Sequence, residues 1–230
     1  MIDVIVSKYK ENISWTSRLN SDKFNIIAYN KIDNLSHSNN NNLPNIGRET
    51  YPYTYYIVNN YYNLPEAVIF LHGFPLDHCG NVQEIWKDYF KDLNCFDHYC
   101  NYANYCKYEQ TTEQNEITDK LMIKFIDYLN SKNNFDTFEC FGNIIYTTDV
   151  HEKEKQLLYK RLNMSYNSNK FTVGAQFIVP SSLIKNKSLS FWKTILDLHM
   201  SDTEKQICSQ TMPYTLERSW IDIFNFTDNI

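Results

Sequence analysis

The chain opens on a short apolar run, IDVIVS (residues 2–7), that passes at once into charge and polarity. A β-branched run of this length fits a strand buried on both faces. KYKENISWTSRL (8–19) then sets Ile13, Trp15 and Leu19 at helical intervals, and FNIIAYNK (24–31) is a second apolar stretch of strand length. A polar insertion, SHSNNNN at 36–42, leads to LPNIGRE (43–49), where a Pro and a Gly predict a loop. YPYTYYIVNNYYNL (51–64) reads as an aromatic-rich helix and EAVIFLHG (66–73) as a third strand.

Farther on, VQEIWKDYFKDL (82–93), EITDKLMIKFIDYLNS (116–131) and HEKEKQLLYKRLN (151–163) have amphipathic helical spacing. FECFGNIIYTTD (138–149) is extended around a turn at Gly142. KFTVGAQFIVP (170–180) reads as one strand with Gly174 inside it, SSLIKNKSLSFWKTILDLHM (181–200) as a helical pair, and PYTLERSWIDIFNF (213–226) as a closing helix. The order predicts βαβ units and one α/β domain over residues 1–230: a mostly parallel twisted sheet with helices on both faces.

In such sheets ligands sit beyond the carboxyl ends of the strands. Those ends carry Ser7, Lys8 and Tyr9, then Tyr29, Asn30 and Lys31, then His72, Gly73 and Asp77. Composition narrows the partners. The formal charge is −5, which argues against a nucleic-acid partner, since a phosphate backbone needs a basic face. No stretch approaches the roughly 18 apolar residues of a membrane span, and MIDVIVSKYK lacks a signal-peptide layout, so a soluble cytoplasmic protein is expected. The six cysteines, at 79, 95, 100, 106, 140 and 208, lack paired zinc spacing and read as reduced thiols. Aromatics make up 16% of the chain, so its interior must be built largely from rings.

FLHG would also suit the His-Gly turn of an α/β-hydrolase. That chemistry needs a nucleophile on a GxSxG elbow, and the five glycines at 47, 73, 80, 142 and 174 include no pair at that spacing. The hydrolase is therefore the third reading, with Ser181 or Ser182 as the residues a serine probe would have to label.

VIVSKYKENISW, AYNK, LPNIGRETYPYTYYIVNNYYNLP with FLHG, GAQFIV and ERSWIDIF occur in the order that resembles a family of uncharacterised domains, across roughly residues 2–224. That family in turn resembles nucleotide-sugar glycosyltransferases of the GT-A type. The resemblance implies a nucleotide-sugar donor lying across the first strands, with Ser7, Tyr9, Tyr29, Asn30 and Lys31 near base and ribose. It implies a glycan or other hydroxyl acceptor on the side of Gly174, Gln176, Arg218 and Trp220.

Asn45, Gly47, Arg48 and Glu49 would shape the donor pocket, because a Gly-bearing turn admits close backbone approach and an Arg can grip phosphate through two bonds. Arg48 has a second reading as a surface partner of Glu49. GT-A enzymes usually hold manganese or magnesium on an Asp-x-Asp after the next strand; here His72, Gly73, Asp77 and His78 stand there, leaving Asp77 and His78 as the candidate ligands. Without a metal, Lys8, Lys31 and Arg48 are the cations available to the leaving diphosphate. Glu217 is the expected catalytic base at a helix start, with a helix-dipole acid as its plainer reading, and Asp77 approaches the donor. Trp192 and Trp220 are either sugar-stacking surfaces or core. A non-catalytic nucleotide- or carbohydrate-binding module of the same fold is the runner-up.

Overall fold

The computed structural model describes residues 1–35, 41–76, 112–141, 144–146, 149–165, 170–172, 174–200 and 212–225. Asp77, His78, the expected helix at 82–93, the turn at Gly142, most of the 36–42 insertion and every cysteine but Cys140 lie outside them. In chain order the elements are β1 (Ile2–Lys8), a 3-10 turn (Ser14–Arg18), β2 (Phe24–Ile32), β3 (Asn42–Pro44), α1 (Thr50–Asn60) and β4 (Ala67–His72). After these come α2 (Thr112–Ser131), β5 (Glu139–Cys140), β6 (Ile144–Tyr146), α3 (Asp149–Leu162), β7 (Lys170–Thr172) and β8 (Phe177–Pro180). The chain continues with α4 (Ser181–Lys185), α5 (Leu189–Met200), α6 (Met212–Glu217) and α7 (Trp220–Asn225).

The main sheet has the order β3-β2-β1-β4-β8-β5. β1 pairs in parallel with β2 from Ile2↔Phe24 to Lys8↔Asn30, and with β4 from Asp3↔Val68 to Ser7↔His72. β8 runs antiparallel to both β4 and β5. The sheet is thus mixed, with the single strand β8 opposing the others. Alternation along β1 explains why both faces need cover. Val4 and Val6 face a cluster with Trp15, Leu121, Phe125 and Leu129 of the 3-10 turn and α2, while Ile5 faces the other side with α1, α5, α6 and α7. Every residue of β4 from Ala67 to Leu71 is fully buried, as expected of a strand sandwiched between helices.

Four expectations change in the structure. The helix foreseen at 8–19 is only the 3-10 turn. The Glu11 carboxylate takes the N–H groups of Tyr9 (2.6 Å) and Lys10 (3.1 Å), and Asn12 Oδ1 takes that of Ser14 (2.9 Å), so side chains compete with helical bonding. The LPN segment adds β3 to the edge of the sheet. The strand foreseen at 170–180 breaks into β7 and β8, because Gly174 (φ 95°) and Ala175 (φ 45°) are both left-handed; β7 pairs with β6 and β8 with β4. The closing helix splits into α6 and α7. At the split Ser219 Oγ donates back to Thr215 O (2.7 Å) and Arg218 Nη1 to Tyr214 O (2.9 Å).

Helices α3 and α7 are joined by a buried ion pair, Lys155 Nζ to Asp222 Oδ2 at 2.7 Å, with the Tyr159 hydroxyl donating to the same carboxylate oxygen. Lys155 is fully buried, so removing it strands a carboxylate away from water. Lys155→Met is expected to lower unfolding free energy by about 3–5 kcal/mol in urea titration, and adding Asp222→Leu to restore much of the loss. A single-variant loss below about 1 kcal/mol would contradict the assignment of this pair as buried.

Candidate functional site

The strand order reverses direction between β1 and β4: β2 and β3 lie on one side of β1, and β4, β8 and β5 on the other. Such a switch point opens a crevice at the carboxyl ends of the two strands. There Ser7 and His72 stand opposite one another in register. The two outgoing loops touch immediately beyond. Gly73 N–H donates to Ser7 O (2.8 Å), and Trp15 Nε1–H donates to Gly73 O (2.9 Å). A Cβ at Gly73 would come within 2.9 Å of Glu11 Cβ and 3.1 Å of Lys8 Cβ. The glycine after His72 is therefore a close-packing residue.

Gln176 fastens the same loop from below. Its Oε1 accepts the His72 N–H and its Nε2 donates to Pro75 O, both at 3.0 Å, and it is 1% exposed. A side chain so engaged holds the chain that leads to Asp77. It does not present itself to a ligand.

Alternation puts Ser7, Lys31 and His72 on the α1 face of the sheet, where the turn before α1 meets them. Glu49, buried at the start of α1, lies 3.6 Å from Arg48 Nε and 4.0 Å from His72 Nε2. The pairing with Glu49 is the second of the two sequence readings of Arg48; the grip on phosphate is a proposal. Its guanidinium also lies over the Tyr214 ring, 4.9 Å from the centroid. Glu217, half-buried at the end of α6, accepts the Gly174 N–H at 2.7 Å. It ends one helix, and the next begins three residues later, so it is not the helix-start acid expected from the sequence.

The charges act on one another. Burial pushes the Glu217 carboxyl above the ordinary glutamate value, and the Glu49 charge adds to this against the opposing Gly174 N–H, Arg218 and Arg48. Burial likewise pulls Lys31 below the ordinary lysine value, with Arg48 in the same direction and Glu49 and Glu11 opposing. For Arg48, burial works against the charge, but Glu49, Tyr214 and Glu217 outweigh it and the net direction is upward. An acid held toward its protonated form beside cations is what proton-transfer sites are built from.

Other sequence candidates sit elsewhere. The Tyr9 hydroxyl and Asn45 Nδ2 (2.7 Å) both donate to Asp33, which ties the loops after β1 and β2 together. Tyr29 is buried edge-to-face against Tyr55, its hydroxyl pushed up to about 12 chiefly by burial. Asn30 Nδ2 donates to Asn42 on the neighbouring edge strand (3.3 Å). Ser7 is 4% exposed with its hydroxyl sealed beneath the crevice and without a hydrogen-bond partner among the described residues. Trp220 is fully buried and stacked on Phe224 at 13°, and Trp192 is equally buried, so both are core. Arg218 Nη1 bonds Tyr214 O and its guanidinium covers Phe171 (4.8 Å).

Ser181 pairs through its N–H with Glu66 O, before β4 begins, which puts it at the edge of the sheet opposite His72. Among the described residues no three His, Cys, Asp or Glu side chains gather as a metal site. A cavity of about 450 Å³ lies elsewhere, between the end of α3 and the start of α5, with Arg161, Asn163, Lys187 and Ser190 in its lining.

Neither Tyr214 nor the hydrogen-bonded chain behind the Arg48 turn carries a local sequence signal. His199 Nδ1 faces Ile195 O (2.9 Å), which can only accept, so Nδ1 carries the proton. Nε2 is then an acceptor, and the Thr50 hydroxyl, 2.8 Å from Nε2 and 2.7 Å from Gly47 O, shares its one proton between the two. Gly47 has φ 60°, and a Cβ there would overlap the His199 ring and approach Tyr51 Cβ to 2.7 Å. Gly47→Ala is expected to lose about 2–4 kcal/mol of stability by urea titration.

Burial holds the His199 imidazole down to about 4. Between that value and the ordinary 6.5 the unfolded chain binds a proton that the fold excludes. Stability from this ring is therefore fully present above pH 6.5 and is lost as pH falls toward 4. Across the window this amounts to about 3 kcal/mol. A His199→Asn variant should show a shallower loss between neutral and acidic pH, and parallel profiles for the two proteins would contradict the buried neutral ring.

Searches of the curated proteins and of the solved structures returned no match. A family model described as "Protein of unknown function (DUF3431)" matches residues 4–229, and the chain belongs to that family.

Proposed function

We propose that this protein transfers a sugar from a nucleotide-sugar donor to a hydroxyl of a glycan or other acceptor, on a GT-A-like framework. The observation that carries the reading is one convergence. Lys31 lies on the α1 face at the carboxyl end of β2, the buried Glu49 charge acts on both it and Glu217, and Arg48 pairs with Glu49 and lies over Tyr214, one helical turn before Glu217. Transfer from a nucleoside-diphosphate sugar needs both kinds of group. The acceptor oxygen bonds to the anomeric carbon, the bond from that carbon to the diphosphate oxygen breaks, and the nucleoside diphosphate departs with the electron pair.

Glu217, in its ionised form, takes the proton of the attacking hydroxyl, while Lys31 and Arg48 oppose the charge gathering on the departing diphosphate. Gly174, whose N–H holds one Glu217 oxygen, leaves the second oxygen for that proton. The described donor set, with Arg48, Lys31 and Arg218 interleaved among Glu49 and Glu217, does not fit a divalent cation; Asp77 and His78 are the residues through which a manganese or magnesium ion would have to enter. No step is therefore routed through a metal.

A binding module that holds nucleotide without turnover is the second reading, favoured by the engagement of Glu217 with the Gly174 N–H. Incubation with a panel of nucleotide sugars, read by nucleoside diphosphate release, separates the two. Turnover is expected, falling by about 10²–10⁴ in Glu217→Gln with nucleotide binding retained. Because the Glu217 value is raised and the base must be ionised, the rising limb of the pH–rate profile should lie above the ordinary glutamate range. Thermal shift without release would favour the binding module. Neither shift nor release with any nucleotide, with or without manganese, would overturn both.

A further inference from the structure

We propose that Tyr214, held by Arg48, is the acceptor platform of this site and that the acceptor is itself a carbohydrate. The role as acceptor rests on the transferase reading above; the capacity to bind a sugar ring does not.

Most of the aromatic side chains described in this structure are buried in the two cores, whereas Tyr214 is 44% exposed beside Arg48; Tyr62, 79% exposed, stands against Tyr61 instead. Exposure alone would mean little. The ring also has a cation over one face. The Arg48 guanidinium lies 4.9 Å from its centroid, and Arg218 Nη1 holds the Tyr214 carbonyl at 2.9 Å. Arg48 is in turn paired with the buried Glu49 and follows Gly47 in a left-handed turn, φ 48°. A ring restrained by such a contact gives up less freedom on binding than an unrestrained one.

Its position relative to Glu217 gives the platform a purpose. The two residues are three apart on α6 and so lie on one face of the helix, a single turn from each other. A ligand resting on Tyr214 would bring its hydroxyls toward the carboxylate that takes the proton. The ring's surroundings select the class of ligand. A pyranose presents one face of weakly positive C–H groups, which the negative face of an aromatic ring attracts, and a rim of hydroxyls that need polar partners. Arg48 supplies donors beside the ring, and the Glu217 carboxylate lies one helical turn away. An acyl chain would require a continuous apolar lining, and the cluster around Tyr214 is charged.

The test separates sugar binding from nucleotide binding. Saturation-transfer NMR would be run with a panel of methyl pyranosides of glucose, galactose, mannose and N-acetylglucosamine, beside thermal shift with nucleoside diphosphates. The wild type is expected to bind at least one pyranoside. Tyr214→Phe should keep that binding, while Tyr214→Ala and Tyr214→Leu should weaken it by about tenfold or more. Leucine retains bulk without a π face, so it guards against a fold defect in the alanine variant.

Nucleotide shifts should be retained in Tyr214→Phe, which keeps the ring that Arg48 covers. Failure of the wild type to bind any pyranoside, or equal binding by the leucine variant, would overturn the platform. Tyr214-dependent sugar binding without any nucleotide shift would sustain the platform while refuting the transferase reading.

Discussion

The aromatic packing around Phe177 is the contact on which the arrangement depends. Its ring meets Phe70 of β4 at 5.2 Å, Tyr53 of α1 at 6.0 Å, Phe138 at 5.7 Å, and Trp220 and Phe224 of α7 at 5.4 and 5.3 Å. Each such pair contributes on the order of 0.5–1.5 kcal/mol beyond the area it buries. One side chain therefore joins the antiparallel strand to its parallel neighbour, to the first helix and to the last. The residues on either side of this contact reach the crevice: Gln176 precedes Phe177 and clamps the loop after β4, while α7 begins three residues after Glu217.

Two left-handed pairs complete the frame. Gly47 and Arg48 turn the chain into α1, and Gly174 and Ala175 turn it into β8. In both pairs the second residue is not glycine, a conformation that costs free energy and persists only where the surroundings enforce it. The first turn is enforced by Thr50 and His199, and it delivers Arg48 and Glu49 to the crevice. The second delivers a backbone N–H to Glu217. Two of the left-handed turns thus adjoin the charged cluster, while Asn34 and Asn163 are left-handed elsewhere and the interior is held by ring packing and the Lys155–Asp222 pair.

Much of this frame can be read from sequence periodicity. IDVIVS, FNIIAYNK and EAVIFLHG are apolar at strand length and stand where parallel strands form, and the strand-end rule brings attention to Ser7, Lys31 and His72. Other features depend on contacts far apart in the chain. KFTVGAQFIVP carries an unbroken apolar pattern, so only the left-handed Gly174 and Ala175 reveal that it is two strands with different partners. PYTLERSWIDIFNF keeps helical spacing through Ser219, whose back-bond to Thr215 divides it. Tyr214 is one of 18 tyrosines, and nothing local distinguishes it from those in the core. Gln176 and Trp220 were plausible ligand contacts by residue type, yet each is sealed in the interior. Family membership adds no activity to these observations, so the chemistry rests on geometry alone.

The proposed transfer requires a phosphorylated ligand to enter where β1 and β4 part, on the α1 side of the sheet. Crystals of the protein soaked with a nucleoside diphosphate test this entry. Density for the diphosphate is expected within hydrogen-bonding reach of Lys31 and Arg48. Diphosphate bound instead in the hollow between α3 and α5, beside Arg161 and Lys187, would contradict it.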